Sequence, residues 1–233
     1  MVMQEFSQAL TDFDRDGFAV FRGAVPTLQI EELTDSVEGA RSEQAAPGLR
    51  NLFNRCSSVR SFANASVAFS IAREILGVAA LPVRAILFDK NPASNWYVTW
   101  HQDLSIPVKN KVDSDGYGPW SIKDGVLHVQ PPAQILEQMV ALRIHLDWCS
   151  EANGAIKFIA GSHRAGILEP GQLRHWRDNH VSVVCPAARG DIIAMRPLIL
   201  HSSSTAEIPE HRRVLHLEYA GATLPAGMEW AEA

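Results

Sequence analysis

Cysteine is scarce in this chain: Cys56, Cys149 and Cys185 are the only three among 233 residues, odd in number and widely scattered. They form neither a CxxC pair nor a zinc-ligand spacing. That excludes a disulfide framework or zinc ribbon and leaves reduced, buried thiols as the expectation. Long apolar runs are missing too. No stretch approaches the ~18 residues of a membrane-spanning helix. The segment Met1 to Phe6 has neither the basic start nor the apolar core of a signal peptide, so a cytoplasmic location is expected. Nor is there a basic run: 21 Lys and Arg stand against 26 Asp and Glu, a net charge of −5. Neither a nucleic-acid footprint nor a polybasic membrane patch follows from such a balance. Internal repeats, low-complexity tracts and interdomain linkers are absent as well. The expectation is one domain over residues 1–233, long enough to enclose an interior site. It would act on a small molecule, and its oligomeric state is left open.

What is present changes character at about residue 80. Upstream, Phe6, Leu10 and Phe13 make a helical stripe, Phe18 to Arg22 reads as a short strand, and Ile30, Leu33 and Val37 align within a second amphipathic segment. Asn51 to Leu76 continues in helical style and stops at Gly77. From Leu81 the texture is that of short strands between turns: Val83–Phe88, Tyr97–Trp100, Met139–Leu146, Ala155–Ile159, Val181–Val184, Asp191–Met195 and Val214–Ala220. Helices followed by many strands indicate an α+β fold. Its helical part covers about 1–80, and its strands, about 81–225, close into a double-stranded β-helix of the jelly-roll or cupin kind. Two long, poorly periodic stretches, Leu104–Gln138 and Arg164–His180, interrupt the strands and read as lids or mobile segments. Within the first, Leu104 and Trp120 are candidates for substrate contact.

The chemistry concentrates at Trp100-His101-Gln102-Asp103. On an extended segment, side chains two apart share a face, so the imidazole of His101 and the carboxylate of Asp103 form a two-point claw for a divalent metal. A distal His201 completes two imidazoles and one carboxylate, the facial triad of non-haem Fe(II) oxygenases. Eleven residues after His201, Arg212 opens an apolar strand. Its fork suits the distal carboxylate of a dicarboxylic co-substrate. Arg213, next in sequence, should face the other way. The competitor is internal, since His145-Leu-Asp147 is a second HxD. Context favours the first, because the 101–103 claw opens into a glycine-rich segment whereas His145 and Asp147 sit among alternating apolar positions. Arg143 either points into the barrel near the co-substrate or pairs with a buried acid. Trp96 and Trp100 line a pocket or belong to the core.

These residues form part of a longer pattern: Asp16-Gly-Phe18, Phe88-Asp-Lys90, Asn95-Trp96, Trp100-His-Gln-Asp103, Arg143-Ile-His-Leu-Asp147, Asn153-Gly154, Gly161-Ser-His163, Gly190-Asp191, His201-Ser-Ser203 and Arg212-Arg213. In this order the chain resembles the phytanoyl-CoA dioxygenase family of Fe(II)/2-oxoglutarate-dependent oxygenases, its small bacterial members above all. The resemblance implies that His101, Asp103 and His201 bind iron and that Arg212 and Ser203 hold the 2-oxoglutarate tail. It also implies a contact of Gln102 with the co-substrate and a site role for Lys90, which otherwise reads as an exposed turn residue. Asp103 is not replaced by Gly or Ala, the departure seen in related halogenases, so the resemblance implies hydroxylation of a small molecule by O2, with release of succinate and CO2. Two alternatives stay open on the residues alone: a non-enzymatic cupin-like binding module, and a non-haem iron oxygenase independent of 2-oxoglutarate.

Overall fold

Alternation along three long strands decides the architecture. In the computed structural model, which describes residues 2–41, 48–207 and 209–233, the chain runs α1 (Val2–Asp16), β1 (Phe18–Phe21), α2 (Thr27–Gly39), β2 (Gly48–Leu49), α3 (Leu52–Arg55), α4 (Ser57–Ala65), α5 (Val67–Leu76) and β3 (Leu81–Lys90). It continues with β4 (Val98–His101), β5 (Ile106–Val108), β6 (Trp120–Lys123), β7 (Val126–Val129), α6 (Ala133–Glu137), β8 (Met139–His145), β9 (Ile156–Phe158), α7 (Pro170–Asn179), β10 (Val183–Cys185), β11 (Ile192–Met195), β12 (His201–Ser203) and β13 (Arg212–Ala220). A six-stranded sheet in the order β1-β11-β8-β13-β3-β2 faces a four-stranded sheet in the order β10-β9-β12-β4. Neighbouring strands within both run antiparallel. This is the expected jelly roll.

The outward residues of the larger sheet are apolar and meet the N-terminal helices. Leu87 of β3, Leu142 of β8, and Leu215 and Leu217 of β13 share one core with Phe13, Ile30, Leu33 and Ile71. Each such fully buried side chain contributes about 1.5–3 kcal/mol through removal from water. The helical stripes read from the sequence are the ones buried here. Tyr219 adds a hydrogen bond from its hydroxyl to the Ala63 carbonyl at 3.0 Å, tying β13 to α4. The intervening residues of the same strands, Arg84, Ile86 and Phe88 on β3, Arg143 on β8, and Arg212, His216 and Glu218 on β13, line a cavity between the sheets. Beside that cavity Ala141, Ile193 and Met195 of one sheet pack on Ile156, Phe158 and Cys185 of the other. All three cysteines are buried and free.

Both interrupting stretches carry secondary structure that the sequence reading did not assign. Leu104–Gln138 contains a third sheet, β5-β7-β6, and α6. Ile106, Val108, Val129 and Leu136 from this stretch form a further core with Met228 and Trp230 from the C-terminal segment. Its strands are three or four residues long and amphipathic only in partnership with distant residues, so periodicity within the stretch is weak. Arg164–His180 holds α7, whose capping box between Glu169 and Gln172 and Pro170 in the first turn start a helix with no buried residue. No described helix is long and apolar enough to cross a membrane.

Candidate metal centre

His101 and His201 are direct cross-strand partners on β4 and β12. Side chains in such a pair share a face, and the two ring centroids lie 4.1 Å apart. Asp103, two residues beyond His101, is fixed by its backbone N–H to the Pro197 carbonyl at 2.9 Å. Its Oδ1 lies 3.6 Å from His101 Nε2 and its Oδ2 lies 3.7 Å from His201 Nε2. The potential ligand atoms of the three all fall within 4.8 Å of one another. In each imidazole, Nδ1 meets a carbonyl that can only accept: Thr99 at 2.8 Å for His101 and Ile199 at 2.9 Å for His201. The ring proton therefore sits on Nδ1, and the Nε2 lone pair is free to ligate.

The electrostatics agree. Burial pushes His201 down to about 4 against the pull of Asp103, which keeps it neutral near pH 7. Burial would raise the Asp103 carboxyl, but His201 and His101 outweigh it and hold it well below the usual carboxylate range. Burial alone would lower His101; the hydrogen bond and charge of Asp103 overcome this and raise it. Two neutral-capable imidazoles and an ionised carboxylate on one face suit Fe(II).

Gln102, between the two ligands, points away from this face by strand alternation. Its amide nitrogen donates to the carbonyls of Gly166 at 2.8 Å and Leu198 at 2.7 Å, and its oxygen accepts from Leu168 N–H at 2.9 Å. Three backbone partners clamp the 101–103 segment, so Gln102 holds the claw in place.

A cationic pole lies along another part of the same cavity: Arg143, Arg212 and Ser203 line it, and Lys90 is buried behind Ser203. Arg212 and Lys90 are direct partners across β13 and β3. Arg212 is buried, donating to the Gly154 carbonyl and to Cys149 Sγ, while its Nε has no partner. Lys90 is 1% exposed rather than at an open turn, because β3 runs through it. Its ammonium donates to the Ser203 hydroxyl at 2.8 Å and to the Ser204 carbonyl, and Ser203 donates onward to the Gly154 carbonyl at 3.0 Å. Arg143 reaches His216 Nδ1 at 3.3 Å, and its buried Nε is likewise unpaired. None of the hydrogen-bond partners of these three cations is a carboxylate. Burial and the neighbouring Arg212 lower Lys90 to about 7 and Arg143 to about 10. Gly154 is the hub: it adopts φ +82°, and an added Cβ would lie 2.5 Å from the Ser204 carbonyl oxygen and 3.3 Å from the Lys90 ammonium. Only glycine fits that position.

The remaining sequence candidates divide. Trp96 and Leu104 line the cavity. Trp120 lies on the other face of β6 from Ser121 and packs with the third sheet's core, and Trp100 packs near Leu173 and Trp176. Arg213 faces outward as expected, bonding Asp147 at 2.8 Å and Glu38 at 3.0 Å. The second HxD is thereby split: Asp147 serves Arg213, whereas His145 is buried with neither ring nitrogen paired and a pKa driven well below the ordinary value by burial and by Arg143. His216 and Glu218 are site residues the sequence reading missed. Counting in twos from Arg212 would have found both, since 212, 216 and 218 share one face of β13.

Comparison with known proteins places this fold among solved structures. AviO1 from Streptomyces viridochromogenes Tue57 shares the fold with a TM-score of 0.69 at 20% identity, over 94% of this chain and 96% of that one. The non-heme alpha ketoglutarate dependent epimerase SnoN from nogalamycin biosynthesis gives 0.70 at 15% identity, over 97% and 87%. HygX from Streptomyces hygroscopicus, solved with nickel and 2-oxoglutarate bound, gives 0.65 at 16% identity, over 91% and 86%. A comparison with curated proteins gave no match. The phytanoyl-CoA dioxygenase (PhyH) family matches residues 13–214, a span that runs from α1 to the start of β13 and includes both the triad and the cationic pole, and the chain therefore belongs to that family.

Proposed function

We propose that the protein is an Fe(II)- and 2-oxoglutarate-dependent oxygenase that hydroxylates a small organic molecule, the whole chain forming one catalytic domain. One observation carries this reading: a facial triad and two buried guanidinium groups without acidic partners, Arg143 and Arg212, line the same cavity of about 750 Å³, with Lys90 behind them on the lining Ser203. A metal-binding module of cupin type has no use for the second feature. A dicarboxylic co-substrate needs both, because one end chelates the metal and the other needs a desolvated positive site.

Iron bound by His101, Asp103 and His201 supplies activation of O2 coupled to decarboxylation of 2-oxoglutarate to succinate and CO2. The chain's own residues position and exclude. Lys90, Arg143 and Arg212 neutralise the distal carboxylate, with the Arg212 fork giving orientation and the Lys90 ammonium a point charge. Ser203 and the Gly154 carbonyl hold those cations in place. Leu104, Trp96 and Ile156 provide the apolar wall that keeps water from the reacting carbon. Asp103 fills the position a halide would need, which supports hydroxylation over halogenation.

Anaerobically purified protein supplied with Fe(II), O2 and 2-oxoglutarate should form succinate, and omission of Fe(II) should abolish this. His101→Ala, Asp103→Ala and His201→Ala should each lose turnover and iron, while His145→Ala retains iron. Iron retained by the His101 variant and lost by the His145 variant would overturn the assignment.

A further inference from the structure

The metal and the cationic pole leave part of the cavity's charge unaccounted for. Asp103 belongs to the metal, and Lys90, Arg143 and Arg212 belong to the co-substrate. Three other cations line the same space: Arg84 on β3, Arg50 just after β2, and Lys123 at the end of β6. Arg84 is matched inside, by buried Glu218 at 3.1 Å, which His216 also contacts at 3.3 Å. Arg50 and Lys123 are not matched inside. Arg50 bonds Asp124 at 2.9 Å, but that carboxylate is 61% exposed and is not part of the cavity wall. Lys123 donates to the neutral hydroxyl of Ser105 at 2.6 Å.

The two cations are brought together by this turn, since Asp124, the residue after Lys123, is the partner of Arg50. Asn51 adds a bond from its side chain to the Asp124 carbonyl. Burial lowers the pKa of both groups, and repulsion from Arg84 adds to it, with Arg50 adding further at Lys123. The carboxylates of Glu218 and Asp103 act on both in the opposite sense without bonding either, which sets the pair within electrostatic reach of the metal triad. Half-buried, converging cations that no carboxylate of the cavity wall pairs with make a binding site for an anion.

Building on the proposed function, we propose that the primary substrate carries an oxyanion, a carboxylate or a phosphate ester, which docks between Arg50 and Lys123 and presents a nearby carbon to the metal end of the cavity. Glu218, already held by Arg84 and His216, stays clear of this anion, so the site discriminates by charge.

Calorimetry on the Fe(II)-loaded protein under anaerobic conditions tests this. The first titration is 2-oxoglutarate alone. If it does not bind, the proposed function fails, and the failure is separate from that of the anion site. With 2-oxoglutarate saturating, so that its own pole is filled, the probes are hexanoate, butyl phosphate and 1-hexanol. At least one anion should bind at concentrations where 1-hexanol does not, and the tighter of the two identifies the headgroup. Lys123→Gln and Arg50→Gln should each weaken that binding tenfold or more. Asp124→Asn, which breaks the Arg50 bond but keeps both cations, should not weaken it, and this separates loss of charge from damage to the turn. Binding of 1-hexanol as tight as that of the anions, no anion binding, or anion binding unchanged in the Arg50 and Lys123 variants would each overturn the proposal.

Discussion

Burial without a counter-charge gives Lys90 a chemistry that lysines rarely have. Its pKa of about 7 comes first from desolvation and then from Arg212, so much of it is neutral in the free protein just above pH 7. A bound carboxylate favours the charged form. Binding 2-oxoglutarate at pH 8 should therefore take up close to one proton, and affinity should fall as pH rises above about 7. Calorimetry in two buffers of different ionisation heat measures the uptake, and Lys90→Met should remove it. No proton uptake in the unsubstituted protein would contradict this role. The metal ligands were legible in the sequence because alternation alone brings His101 and Asp103 to one side. Lys90 was marked only by the family resemblance, because its neighbours Asn91 and Pro92 suggest an open turn. Only pairing with Arg212, a contact between distant parts of the chain, shows that β3 continues through it. Arg50 and Lys123 gave no signal at all, since their approach depends on a turn between β6 and β7 reaching the residue after β2.

The strands of the two large sheets were read to within a few residues wherever burial on one or both faces left an apolar pattern. The third sheet was missed because its three short strands bury their apolar side against Met228 and Trp230, far along the chain. A lid with no ladder and a paired sheet behave differently in hydrogen exchange. The amides joining β5 to β7 and β7 to β6, such as those around Leu127 and Val129, should exchange slowly without any ligand. Rapid exchange across all of Leu104–Gln138 would restore the mobile-lid expectation and contradict the sheet. Helix α7, with no buried residue, should exchange faster than either.

The fold as a whole keeps several imidazoles neutral in its interior, and this sets its response to acid. His128, His163 and His201 are each pushed down to about 4 by burial, and His145 lies well below its ordinary value. An unfolded chain protonates them near ~6.5. Between about 6.5 and 4 the unfolded state therefore binds more protons, and stability falls as pH falls. Glu232 opposes this, because burial raises it to about 7 and its contribution is lost as pH rises from its unfolded value through 7. His101, raised by Asp103 against burial, opposes it as well, and four lowered bases against these two groups make stability fall on acidification. Denaturant midpoints at pH 7, 5.5 and 4.5 should decline in that order, and a midpoint constant across the series would contradict the burial of these rings.

The account depends on one dianion bridging the triad and the cationic pole. Its test is the dissociation constant of 2-oxoglutarate, measured anaerobically with Fe(II) for the unsubstituted protein, His201→Ala, Arg212→Ala and Arg213→Ala. His201→Ala and Arg212→Ala should each weaken binding, the latter by roughly 1.5–3 kcal/mol because the distal carboxylate loses its bidentate partner and keeps only Lys90 and Arg143. Arg213→Ala, whose guanidinium faces Asp147 and Glu38 on the outside of the sheet, should bind as before. Unweakened binding by Arg212→Ala would contradict the account.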